Sequence, residues 1–225
     1  TGQYNTAIGY KCLEGETNVY TGSNNNVAIG YQCGQFVGNE AINNVLIGYE
    51  CAKAATGAGE FVGDNNTYIG YQCGLLNIGG SENVGIGTSC LDSNTTGNQN
   101  VAIGKECLQA NVSGTSNVSM GYQSLYSNTA SNNTAIGYQC SYFNTTGDSN
   151  VSIGYECLKG TELYTGTDKN IAIGYQSGYT IGSNIDNNVL IGYQTGYTYD
   201  PNNNDSYISY QLGNNTNGIV SDIYG

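Results

Sequence analysis

The most reactive side chains in this sequence are eight cysteines, and all of them occupy one position of a recurring phrase. Cys12, Cys33, Cys51, Cys73, Cys90, Cys107, Cys140 and Cys157 each stand three residues after a glycine. A shared register for a small, readily buried residue says that the position points inward where space is limited. If successive phrases stack in a parallel ladder, neighbouring Cα atoms lie about 4.8 Å apart, within reach of a disulfide. The run of six and, after Ser124, the run of two would then pair as Cys12–Cys33, Cys51–Cys73, Cys90–Cys107 and Cys140–Cys157, which suits an extracellular rod. Parity is weak evidence. The competing reading is free buried thiols in a slot that Ser124, Ser177 and Thr195 fill elsewhere. Paired Cys-x-x-Cys spacing is absent, so no metal and no cofactor is expected.

Catalytic constellations are not visible. The chain has no histidine, which removes the Ser-His and Cys-His nucleophile pairs. Glu14, Glu16, Glu60, Asp64, Asp92, Asp148, Glu162, Asp168, Asp186 and Asp200 are scattered through loop-like text, none at a spacing that would face a fixed partner. The turn Asn77-Ile78-Gly79-Gly80 does not open a helix, so it is no phosphate loop. Hence no catalytic residue is expected, and the chain reads as a non-enzyme. Five Lys against 17 Asp and Glu give a net charge of -12, which argues against a nucleic-acid partner. No apolar run reaches the eighteen or more residues of a membrane span. No signal peptide opens the sequence, which starts inside a repeat at Thr1.

The positions that carry these residues form a repeat. Gly9, Gly30, Gly48, Gly70, Gly87, Gly104, Gly121, Gly137, Gly154, Gly174 and Gly192, with Ser209 in the twelfth place, recur at steps of 16 to 22 residues. Before each stands Ile (Met120 once), and two positions earlier Val, Thr or a similar residue, from Thr6, Val27 and Val45 to Val189 and Ser206. This period-two pair of mostly β-branched residues predicts a short strand with the pair on its buried face. The residues between them, such as Ala7, Ala28, Leu46, Tyr68 and Ala102, would then lie on a face that is partly open or meets a neighbouring surface. An Asn column from Asn5 and Asn26 to Asn188, closed by Asp205, marks the corner before the strand. Length variation falls between the cysteine register and the next Asn, which places insertions in loops. Asn94 and Asn144 begin glycosylation sequons in those loops and are plausible acceptors in a secretory pathway.

After the glycine comes a tyrosine column: Tyr10, Tyr31, Tyr49, Tyr71, Tyr122, Tyr138, Tyr155, Tyr175, Tyr193 and Tyr210, broken by Thr88 and Lys105. Such a ladder buries apolar area and still presents hydroxyls. Intrachain stacking, an oligomer interface and sugar binding are all open for it. One phrase cannot bury its own strand, so the phrases must stack at about 4.8 Å per rung. The expected fold is all-β: a parallel β-solenoid of about twelve rungs, one repeat domain over residues 1–225 whose last rung, 205–225, is degenerate.

The units Asn5-Thr6-Ala7-Ile8-Gly9, Asn26-Val27-Ala28-Ile29-Gly30 and Asn100-Val101-Ala102-Ile103-Gly104 resemble the head repeats of trimeric autotransporter adhesins of the YadA-head type. The phrase from Thr96-Gly97 to Cys107-Leu108 also resembles repeats of bacteriophage and large-virus surface fibres. That resemblance implies a left-handed β-roll, assembled as a homotrimer, serving as a stalk or adhesive head. Cys in place of the usual Ala, the tyrosine ladder and the longer rungs depart from the adhesin pattern. The leading expectation is thus a structural or adhesive surface fibre at a cell or virion surface, homo-oligomeric, with a cell-surface or glycan receptor. Alternatives are an extracellular filament subunit that polymerises end to end and a left-handed β-helix acyltransferase. The acyltransferase reading lacks two of three hexapeptides per coil and the usual histidine. An ice-binding solenoid would need regular Thr-x-Thr arrays, which are missing.

Overall fold

The structure is a computed structural model that describes residues 2–14, 22–38, 40–54, 61–162, 166–180 and 186–197. Eleven strands follow one another in chain order: β1 Thr6–Tyr10, β2 Val27–Tyr31, β3 Val45–Tyr49, β4 Thr67–Tyr71, β5 Val84–Thr88, β6 Val101–Lys105, β7 Val118–Tyr122, β8 Thr134–Ile136, β9 Val151–Ile153, β10 Ile171–Ile173 and β11 Val189–Ile191. They form one sheet in the order β1 through β11, each strand parallel to the next. The register is strict, with Ile29 opposite Ile47, Gly30 opposite Gly48 and Tyr31 opposite Tyr49. This is the expected parallel β-solenoid. The twelfth phrase, with Asp205, Ser209 and Tyr210, lies outside the described residues.

The inward and outward faces are the reverse of the sequence expectation. From β2 onward the middle residue is the buried one, and Ala28, Leu46, Tyr68, Ala102, Ser119, Ala135, Ser152 and Ala172 are all 0% exposed. Val and Ile stand on the outer face, half-buried or exposed, with Ile8, Ile86, Ile136, Ile171, Ile173 and Ile191 among the exposed large apolar side chains. Alternation separates two faces but carries no sign when one is small and the other β-branched. Here the interior is too narrow for a column of Ile.

Interior packing works by size exchange. The residue after the cysteine register also turns inward, and a large strand side chain packs over a glycine at that position on its own or the preceding rung. A Cβ on Gly74 would lie 2.6 Å from the Tyr68 ring, and one on Gly34 2.8 Å from Leu46 Cδ1. In β5, β6 and β7 the strand supplies Gly85, Ala102 and Ser119, and the partner position is Leu91, Leu108 or Leu125, all fully buried. Exchange of volume within and between adjacent rungs fills the interior.

Two columns of buried amides hold the corners. The Oδ1 of each Asn before a strand accepts from the backbone N–H of the next Asn, as in Asn44 to Asn26 and Asn100 to Asn83, both 2.9 Å. Its Nδ2 reaches across to a loop carbonyl, as Asn83 does to Gly97 at 2.9 Å. The second column, Asn77, Asn94, Asn111, Asn128 and Asn144, was not anticipated. Asn94 Nδ2 donates to Asn77 Oδ1 at 3.3 Å and to Gly97 O at 3.0 Å. Asn94 is 0% and Asn144 8% exposed, so both are structural amides inside the stack rather than loop acceptors for a glycan. Each such bond contributes about 1 kcal/mol net, and leaving its partner buried and unpaired costs about 1–3 kcal/mol.

Candidate functional site

The glycine before each tyrosine decides what happens at the second corner. Its φ lies between +120° and +139° along the column. There the strand turns its face, and the next two residues point their side chains onto one outer surface. The tyrosines stack ring on ring. Tyr10, Tyr31, Tyr49 and Tyr71 have successive centroids 5.2, 5.0 and 5.1 Å apart. Tyr122, Tyr138, Tyr155, Tyr175 and Tyr193 continue at 5.4, 4.9, 5.1 and 5.1 Å. The column therefore stacks within the chain. The ring edges and hydroxyls remain exposed.

Beside it runs a ladder of glutamines and glutamates that the sequence reading passed over, although its signal is plain: Gln or Glu stands two residues after most of the glycines. Gln72 Nε2 donates to Glu50 Oε2 at 2.9 Å, Gln123 to Glu106 at 2.7 Å, Gln139 to Gln123 at 2.7 Å and Gln176 to Glu156 at 2.8 Å. Burial works against the charge of Glu50 and Glu156, but bonds from Lys53 and Gln72, and from Lys159 and Gln176, outweigh it and hold both carboxyls below the usual range. A third column at the edge of this surface adds the stacked pairs Tyr126–Tyr142, at 4.9 Å, and Tyr179–Tyr197, at 5.0 Å.

The cysteines form the single column that the spacing predicted, but the disulfides do not exist. All eight are free thiols, with no pair at bonding distance, and seven are buried while Cys12 is half-exposed. The Sγ atoms donate to backbone oxygen. Cys33 donates to Gly48 O at 2.9 Å, Cys107 to Gly121 O at 2.8 Å and Cys140 to Gly154 O at 2.8 Å. Cα spacing permits a bridge, whereas side-chain direction decides against it. Bonding between neighbouring thiols, and then burial, holds Cys51, Cys107 and Cys140 up, while the bond from the neighbour holds Cys33 and Cys157 below the usual thiol range, so burial is what shields the column from reagents. Iodoacetamide at pH 8 is expected to spare the seven buried thiols of the folded protein and to label all eight in denaturant without any reductant. A requirement for reductant, read by mass spectrometry, would restore the bridges.

The acidic residues do not converge. Asp64, Asp148, Asp168 and Asp186 share a loop column where each carboxylate accepts a backbone N–H from the rung before, as Asp168 does from Asp148 at 2.8 Å. Glu16, Glu60 and Asp200 lie outside the described residues. Among the described residues no three His, Cys, Asp or Glu are grouped so as to hold a metal ion, and no helix is long and apolar enough to cross a membrane.

These features define a class, a parallel β-solenoid scaffold with one apolar sheet face and one tyrosine–glutamine face. In comparisons with known proteins the chain matches no family model, no curated protein and no solved structure.

Proposed function

We propose that the chain is a non-catalytic structural unit of a surface fibre or stalk that assembles with further copies of itself along the Val/Ile face. The observation that carries this reading is that face. It is about 50 Å long at roughly 4.8 Å per rung, and every position in its two columns is Val, Ile, Thr or Met, with no charged residue. Its area, on the order of 500 Å², stands at the upper end of what a lone soluble protein exposes. A partner must match a repeat of about 4.8 Å without interruption, and a second copy offers that match. The net charge of -12 lies elsewhere and does not oppose the contact.

The resemblance to trimeric adhesin heads and viral fibres supports three copies around an axis, an adhesive role and a position at a cell or virion surface. The thiol column no longer adds support for an oxidising compartment. Native mass spectrometry with negative-stain microscopy tests the proposal. Homotrimeric rods are expected at micromolar concentration; a compact monomer would refute the fibre reading, and open-ended growth would replace the trimer by a filament.

A further inference from the structure

The tyrosine ladder has one unfilled level. The register sets Thr88 directly between Tyr71 and Lys105, and Lys105 beside Tyr122. Lys105 Nζ sits over the Tyr122 ring at 5.6 Å from its centroid, so the upper stack is capped. The lower stack is not. Tyr71 is 47% exposed, against 40% and 41% for Tyr31 and Tyr49, which have a ring on both sides. Two rung steps span about 9.6 Å, so a flat ring at the Thr88 level would lie about 4.8 Å from Tyr71 on one side and from Lys105 on the other.

The neighbouring ladders are interrupted on the same rung. Ser89 replaces Gln or Glu, and its short side chain leaves the Gln72–Glu50 and Gln123–Glu106 pairs unconnected. No hydrogen bond joins the hydroxyls of Thr88 and Ser89 to the protein. Three residues after Ser89, Asp92 holds the position from which Lys53 and Lys159 reach back to Glu50 and Glu156. The Gln109 side chain bonds to Asp92, and the remaining oxygens, Asp92 Oδ1 and Gln109 Oε1, are buried and closed to a ligand in the notch. The notch therefore offers one aromatic plate and two free hydroxyls.

We propose that the notch between Tyr71 and Lys105 is a carbohydrate subsite in which one pyranose ring stacks on Tyr71 and its hydroxyls bond to Thr88 and Ser89. An aromatic side chain would fit the same height. It brings at most one hydroxyl, whereas a sugar edge brings several that both donate to and accept from Thr88 and Ser89. A single subsite of this size holds a monosaccharide with a dissociation constant on the order of 1 mM, and adhesion would come from many copies along a fibre. The inference deepens the adhesive reading and rests on it for its biological sense.

The test is titration of the intact protein with a panel of methyl pyranosides, and with p-cresol as the aromatic probe, followed by saturation-transfer NMR. At least one pyranoside should bind saturably. Thr88→Tyr, which completes the ladder and keeps a residue type native to that register, should weaken it at least tenfold with the β-sheet circular dichroism unchanged. Tyr71→Leu should do the same. Binding of p-cresol alone, equal pyranoside binding by T88Y, or no binding by any probe overturns the proposal. Oligomeric state is read separately. Rods that bind no pyranoside sink the subsite and leave the fibre, and a monomer that binds through the notch does the reverse.

Discussion

Gly104→Ala is expected to cut the solenoid in two. A Cβ built at this position lies 1.9 Å from the carbonyl oxygen of Gly121 on the next rung and 3.2 Å from Cys107 Sγ. Its φ is +138°, a conformation that an L side chain rarely adopts. The obstacle is backbone rather than a flexible side-chain end, so rotamer changes cannot relieve it. Either β6 and β7 separate or the corner refolds, and both break the glycine carbonyl's contact with the thiol of Cys107. The cost should exceed about 4 kcal/mol, the range reserved for core disruption. Because rungs bind only their neighbours, the damage should divide one cooperative transition into two. Thermal unfolding followed by circular dichroism, with limited proteolysis near residue 104, reads this directly. Gly79→Ala is the control: nothing lies within 4 Å of its added Cβ, and a change within about 0.5 kcal/mol is expected. A Gly104→Ala protein as stable as the control would mean that the rungs are not stacked as described.

The second large effect separates folding from assembly. Ile86, Ile136 and Ile173 are 37%, 36% and 36% exposed, so Ile→Lys at all three should leave the sheet intact in a single copy. If copies join along this face, each Ile has only about a third of its surface left to bury, roughly 0.5–1 kcal/mol, and each Lys adds the cost of desolvating a charge, so association weakens at least a hundredfold. Sedimentation should then show monomers with the circular dichroism of the parent. Ala135→Lys, at a 0% exposed position on the other parity, should unfold the chain instead. Unfolding by the Ile changes together with tolerance at Ala135 would reverse the assignment of inside and outside.

That assignment is where the sequence was hardest to read. The rung, its register and the shared level of the eight cysteines were all visible as columns, because a parallel in-register stack writes each structural position once per turn. The sign of the face was not, since Val-x-Ile alternation serves equally for a core and for an interface. The signal lay in packing rather than in the text: Leu46 overlies Gly34 of the preceding rung, and Tyr68 faces Gly74, a fit that only an interior position needs. The disulfides failed for a different reason. Spacing sets Cα separation, but the bearing of Sγ toward Gly48 or Gly121 depends on backbone dihedrals that residue types do not reveal. The Tyr71–Lys105 notch showed as a break in the column, yet its meaning required knowing that the rings on either side are stacked.

The backbone bonds between strands and the amide bonds between asparagines all point from one turn of the chain to the next. Tension applied along the stack therefore loads them a level at a time, like a zipper, and each yielding level releases one turn of slack. Sideways force meets many levels at once, in shear. A tether built this way gives gradually under axial pull while it resists being bent or crushed.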